Sequence, residues 1–131
     1  MNDTLTLLLI DEHTGEHSVF SAAAQQAFPR VNCFFAHTCE QAIASVKNKV
    51  IPQPDFIFLD WLAWPHQPVA DLQQLQGAVE MKGARIFGLT ADGPVTERSW
   101  RENLGVNRII EKQSNVNLYA VSIFKVVHDI P

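Results

Sequence analysis

The chain is poor in cysteine, with two in 131 residues, and poor in positive charge, with 10 lysines and arginines against 14 acids. Two cysteines cannot build a disulfide framework, and Cys33 and Cys39 are expected to be reduced thiols. A net charge of 10 − 14 = −4 offers phosphate backbones no attraction, so neither DNA nor RNA is an expected partner. Arg98 and Arg101 are too sparse to form a basic stripe. No apolar run approaches the roughly 20 residues of a membrane span, so no membrane association is expected. The opening MNDTLTLLLIDE has no basic leader and too short an apolar run for a signal peptide, which points to the cytoplasm. Internal repeats, low-complexity tracts and linkers are also missing. The length suits one domain over residues 1–131, large enough for a single core.

What the chain does have is alternation. Apolar runs at 5–10 (LTLLLI), 31–35 (VNCFF), 56–59 (FIFL), 85–89 (RIFGL) and 108–110 (RII) predict five strands. Helical patterns follow each. Phe20, Ala23, Ala24 and Ala27 mark a helix over 18–28, closed by Pro29. Thr38-Cys39-Glu40-Gln41 is a capping box opening a helix whose inner face is Ala42, Ile43 and Val46. Leu72, Leu75 and Val79 mark the third helix; Trp100 and Leu104 mark the fourth, stopped by Gly105. The last begins near Ser114 and aligns Ala120, Ile123, Phe124 and Val127. Strands apolar throughout are those buried on both faces, and crossover helices imply a parallel sheet. The predicted fold is therefore α/β, doubly wound, with five parallel strands.

Polar residues capable of chemistry stand at four strand ends: Asp11 with Glu12, Asp60, Thr90, and Lys112 after Glu111. Each alone reads more readily as a turn residue or helix cap. In open α/β sheets, however, ligands bind outside the carboxyl ends of the strands, and all four positions fall on that edge. Three carboxylates around 5 Å apart would repel by about 3 kcal/mol per pair at an effective dielectric near 20. A hard divalent cation relieves that repulsion.

These residues resemble the receiver domain of two-component response regulators, of the chemotaxis-regulator type. The likeness covers essentially the whole chain. It rests on Asp11-Glu12, on PDFIFLD with Asp55 and Asp60, on LTA at 89–91, and on Lys112. It implies a flavodoxin-like (βα)5 fold with strand order 2-1-3-4-5. It implies Mg²⁺ on Asp11, Glu12, Asp60 and the backbone carbonyl of Leu62. Asp60 would take a phosphoryl group from a sensor histidine kinase or phosphotransfer protein, or from a small donor. Lys112 would pair with the phosphoryl oxygens, Thr90 would offer its hydroxyl, and Ala91 would leave room for entry. The face of the fourth helix, fifth strand and fifth helix would then change shape for a downstream target or an output domain outside this chain. Such a domain is a phosphoacceptor rather than an enzyme.

Several residues depart from the family pattern. Glu12 stands where aspartate is usual, Pro65 is five residues after Asp60 rather than four, and His66 replaces glycine. Gln113 follows Lys112 in place of proline, and Ile109 occupies an often aromatic position. The alternative is a receiver-like module that binds a partner without phosphate. Trp61, Trp64, Trp100 and Tyr119 are open between core packing and partner contact. A remote alternative is a zinc hydrolase, because His13-Thr14-Gly15-Glu16-His17 fits H-x-x-E-H. Gly15 inside the string, and the lack of a supported third ligand downstream, count against it.

Overall fold

A computed structural model describes residues 4–60, 68–90 and 108–128. Five strands form one sheet: β1 (Leu5–Ile10), β2 (Val31–Ala36), β3 (Phe56–Asp60), β4 (Arg85–Thr90) and β5 (Arg108–Glu111). All pairings are parallel, in the order β2-β1-β3-β4-β5. The helices are α1 (Thr14–Ala27), α2 (Cys39–Lys47), α3 (Pro68–Gly77), a 3₁₀ turn (Val79–Met81) and the C-terminal helix (Val116–Val127). The fourth predicted helix, with Trp100, Leu104 and Gly105, lies outside the described residues, as do Trp61, Leu62, Trp64, Pro65, His66 and Ala91.

The two-residue period of a strand divides the core between the faces of the sheet. Leu8, Ile10, Ile57, Leu59 and Ile86 pack with Ala42 of α2, Leu72 and Leu75 of α3, and Met81. Leu7, Leu9, Phe58, Phe87 and Leu89 pack with Phe20, Ala23 and Ala24 of α1 and with Tyr119, Ala120, Ile123 and Val126 of the C-terminal helix. An aromatic chain links this second layer. Phe20 meets Phe58 at 5.0 Å and Tyr119 edge-on at 5.9 Å. Tyr119 is thus core, and burial pushes its hydroxyl far above the usual range. Cys39 belongs to the first layer and Cys33 packs against the second, so the sheet lies between them and they are not joined by a disulfide. Burial raises the Cys33 thiol to about 11.

Helix boundaries depart from the sequence expectation where local signals are weak. Helix α1 begins at Thr14 rather than 18, with His13 as an N-cap that makes no side-chain capping bond. In α2, Thr38 Oγ1 accepts from the Gln41 N–H as expected. The Gln41 side chain, however, accepts from the N–H of His37 (2.6 Å), one residue before the cap. Helix α3 stops at Gly77, so Val79 falls in the 3₁₀ turn and is 73% exposed. Asn115 caps the C-terminal helix by accepting from Leu118 N–H. Its inner face holds Tyr119 and Val126 beside Ala120 and Ile123, while Phe124 is partly exposed.

Glycine matters most at Gly88. A Cβ there would meet Ile109 Cγ1 at 3.1 Å, so the gap on β4 receives the aliphatic side chain of its register partner on β5.

Candidate functional site

Strand register brings the candidate residues level. Ile10 pairs with Leu59, which sets Asp11 abreast of Asp60 at the carboxyl edge. Asp60 pairs with Leu89, so Thr90 begins one step further along. The Lys112 N–H donates to the Thr90 carbonyl at 2.8 Å, which fixes the start of the lysine's reach. Asp11, Asp60 and Thr90 are the buried polar residues of the described chain.

Lys112 points inward. Its Nζ donates to Asp11 Oδ2 at 2.9 Å and lies 3.0 Å from Asp60 Oδ1 and 3.9 Å from Glu16 Oε1. The approach to Asp60 is an ion pair without hydrogen-bond alignment. Neither Asp60 oxygen has a hydrogen-bond partner among the described residues, although the side chain is 1% exposed. Asp11, by contrast, is well served. Its Oδ1 accepts from the His13 backbone N–H at 2.8 Å, and its carbonyl accepts from His17 Nε2 at 3.1 Å. The His17 ring lies flat on Phe35 at 4.6 Å.

The electrostatics follow from that asymmetry. Burial pushes Asp11 upward, but the His13 N–H and the Lys112 ammonium outweigh it, and the carboxyl falls below its ordinary range. Burial also pushes Asp60 upward. Lys112 opposes this, the Asp11 charge adds to it, and the net is a raised carboxyl. Burial alone would lower Lys112; its hydrogen bond to Asp11 and its ion pair with Asp60 reverse the sign and raise it.

Asp11, Asp60, Thr90 and Lys112 therefore meet at one edge. Glu12 is exposed, and the side chains able to share an ion are Asp11, His13 and Asp60, each offering one ligand atom within 4.8 Å of the others. Leu62 lies outside the described residues. Sequence reasoning weighed His13 only as a zinc ligand alongside His17 and missed its place beside the two aspartates: its Nδ1 lies 3.3 Å from Asp11 Oδ1 and 4.0 Å from Asp60 Oδ2. The available signal was the two-residue spacing from Asp11, since an aspartate readily accepts from the N–H two residues on. Glu16 and His17 lie outside this cluster, so the two histidines of H-x-x-E-H do not converge on one ion.

Asp55, which contributes to the family likeness, sits at the opposite rim. Its Oδ2 accepts from Thr6 N–H at 2.9 Å, its N–H donates to Thr6 carbonyl, and its carbonyl accepts from Arg85 N–H. It ties β1, β3 and β4 together at their amino ends.

No protein-family model matches the sequence, and no curated protein sequence does. Solved structures do resemble it. A two-component response regulator from Legionella pneumophila superposes with a TM-score of 0.76 at 15% identity, over 97% of this chain and 100% of that one. The response regulator RPA3017 in red light signaling of R. palustris gives 0.77 at 15%, over 95% and 92%. A chain from the complex of the CheA3 P1 domain with CheY6 of R. sphaeroides gives 0.72 at 16%, covering 98% of each. The chain has the fold of a response-regulator receiver domain. No helix among the described residues is long and apolar enough to cross a membrane.

Proposed function

We propose that this chain works as a receiver, with Asp60 as the phosphoacceptor. The observation that carries the proposal is a 1% exposed carboxylate at the carboxyl edge whose two oxygens lack hydrogen-bond partners among the described residues, beside a lysine at 3.0 Å. A buried acid in that state is costly unless a further group engages it.

One Asp60 oxygen attacks the phosphorus of a phosphohistidine, or of a small acyl phosphate, in line with the leaving group. The P–O bond to Asp60 forms as the donor's P–N or P–O bond breaks. The catalysis needed is positioning and charge neutralisation. Lys112 is placed to follow a phosphoryl oxygen as a compact charge, and Thr90 to donate its hydroxyl. The orphaned Asp60 oxygens and the oxygen donors of Asp11 fit a hard divalent cation. Mg²⁺ would be held by Asp11 and Asp60, with Glu12 and the Leu62 carbonyl as implied ligands, and would supply positive charge to offset the incoming phosphoryl group.

Once phosphorylated, Asp60 carries roughly two negative charges in place of one, in a pocket where Lys112 already faces both Asp11 and Asp60. A histidine kinase or phosphotransfer protein is the donor this chemistry calls for, and a downstream protein is the reader. The chain then acts in the cytoplasm as a signalling acceptor rather than as an enzyme turning over a free substrate. Acetyl phosphate with Mg²⁺ should add about 80 Da, one phosphoryl group, to the wild-type chain and nothing to Asp60→Asn. An unlabelled wild type, or a labelled Asn variant, removes the proposal.

The exposed Glu12, outside the ion-binding cluster, favours one second reading: a receiver fold that binds its partner without phosphate. Partner affinity unchanged by Asp60→Asn would select it.

A further inference from the structure

We infer that His13 makes this site selective for a borderline divalent transition ion, of the Zn²⁺ or Co²⁺ class, over Mg²⁺. The inference deepens the cation part of the receiver proposal and rests on reading the acid cluster as a cation site.

The two carboxylates present two edges. Lys112 takes Asp11 Oδ2 at 2.9 Å and Asp60 Oδ1 at 3.0 Å. His13 Nδ1 faces the other oxygen of each, Asp11 Oδ1 at 3.3 Å and Asp60 Oδ2 at 4.0 Å. Ligands about 2.0–2.2 Å from one metal stand roughly 3–3.5 Å apart. All three atoms on the His13 edge lie within 4.8 Å of one another, a short closing movement from a coordinating triangle, while the other edge is already occupied by an ammonium.

Asp60 Oδ2 points into this triangle, buried and without a hydrogen-bond partner among the described residues. His13 is the one nitrogen donor of the set, and its side chain is 69% exposed, free to swing the short distance required. Imidazole suits Zn²⁺, Cu²⁺, Ni²⁺ and Fe²⁺, whereas Mg²⁺ is served by carboxylate, carbonyl and water. Glu12, the extra carboxylate a Mg²⁺ site would draw on, faces solvent instead. An imidazole in its place also adds no anion near Asp60.

Co²⁺ is a suitable probe, because its d–d absorbance reports ligand type and geometry. Titrate the full chain with CoCl₂ and separately with MgCl₂, in wild type, His13→Ala, Asp60→Asn and, as a control, His128→Ala. His13 makes no side-chain capping bond, so its removal takes no helix cap away. Wild type should bind Co²⁺ at least about tenfold more tightly than Mg²⁺. Even an outer-shell partner is worth roughly 10–100-fold in affinity, so His13→Ala should lose at least that for Co²⁺ while Mg²⁺ binding stays within about threefold. Asp60→Asn should weaken both ions, and His128→Ala neither. Co²⁺ affinity unchanged in His13→Ala, or Mg²⁺ bound as tightly as Co²⁺ by wild type, overturns the inference. If His13→Ala leaves Co²⁺ binding intact while Mg²⁺ still supports labelling of Asp60, the His13 assignment alone has failed. If the Co²⁺ pattern holds but no donor labels Asp60, the receiver proposal alone has failed.

Discussion

Asp55 and Asp60 stand five residues apart at the two ends of one strand, and they live opposite lives. Asp55 is exposed, bonded to the Thr6 backbone and linked onward to Arg85. Asp60 is buried, carries a raised carboxyl and has one lysine at hand but no aligned hydrogen bond among the described residues. The first aspartate is spent on the fold; the second is held in reserve. Two like residues on one element differ because the amino rim of a parallel sheet offers unpaired backbone N–H groups, whereas the carboxyl rim gathers side chains from several strands.

Several substitutions would break or sharpen that contrast. The largest effect is expected from Lys112→Met. It leaves two buried carboxylates without their ammonium and should cost about 3–5 kcal/mol at neutral pH, read by urea unfolding. The wild-type pair has a defined window. Asp11, lowered in the fold, stabilises above its ordinary 3.8 and loses that contribution as pH falls through its folded value. Lys112, raised in the fold, stabilises fully below its ordinary 10.5 and loses that contribution as pH rises through its own folded value.

Next comes a reversal of sign between the two aspartates. Asp60→Asn should stabilise by on the order of 1 kcal/mol at pH 7, since it removes one of two like charges in a low-dielectric pocket. Because the Asp60 carboxyl is raised, the folded state holds its proton more tightly, and the gain should shrink to nothing below the unfolded value of 3.8. Asp55→Ala should instead destabilise by about 1 kcal/mol, the loss of one hydrogen bond to a charged acceptor. Equal signs for the two would end the comparison.

The smallest effect belongs to Lys49. It follows α2 in a left-handed conformation, φ 62°, with Lys49 N–H bonded to Val46 carbonyl and Val50 N–H to Ser45 carbonyl. That is a Schellman stop, which glycine fills without steric cost. Lys49→Gly should raise stability by roughly 0.5–1 kcal/mol in thermal or urea unfolding and leave labelling of Asp60 unaltered.

The strand ends were readable because a doubly buried strand writes itself as an unbroken apolar run, and the first polar residue after it marks the edge. That placed Asp11, Asp60, Thr90 and Lys112 before any geometry. Strand order required the family resemblance, since nothing local distinguishes β3 beside β1 from β3 beside β2. His13 was legible only as half of H-x-x-E-H; its place beside Asp11 and Asp60 was not, because that depends on where α1 begins, and Gly15 together with a cap lacking a side-chain bond conceals that start. The inner face of the C-terminal helix holds Tyr119 and Val126 with Ala120 and Ile123, whereas Phe124, expected inward, is 39% exposed. Glu12 follows Asp11 in the chain and is exposed, outside the cluster of Asp11, His13 and Asp60.

The central claim, that Asp60 is the residue which takes the phosphoryl group, is tested most directly by trapping the acyl phosphate. Borohydride reduces an aspartyl phosphate to homoserine and leaves a free carboxylate untouched. After exposure to a phosphodonor and borohydride, peptide mapping should find homoserine at position 60 and aspartate still at positions 11 and 55. Homoserine at position 11 or 55, or aspartate intact at 60 in a labelled chain, would contradict the account.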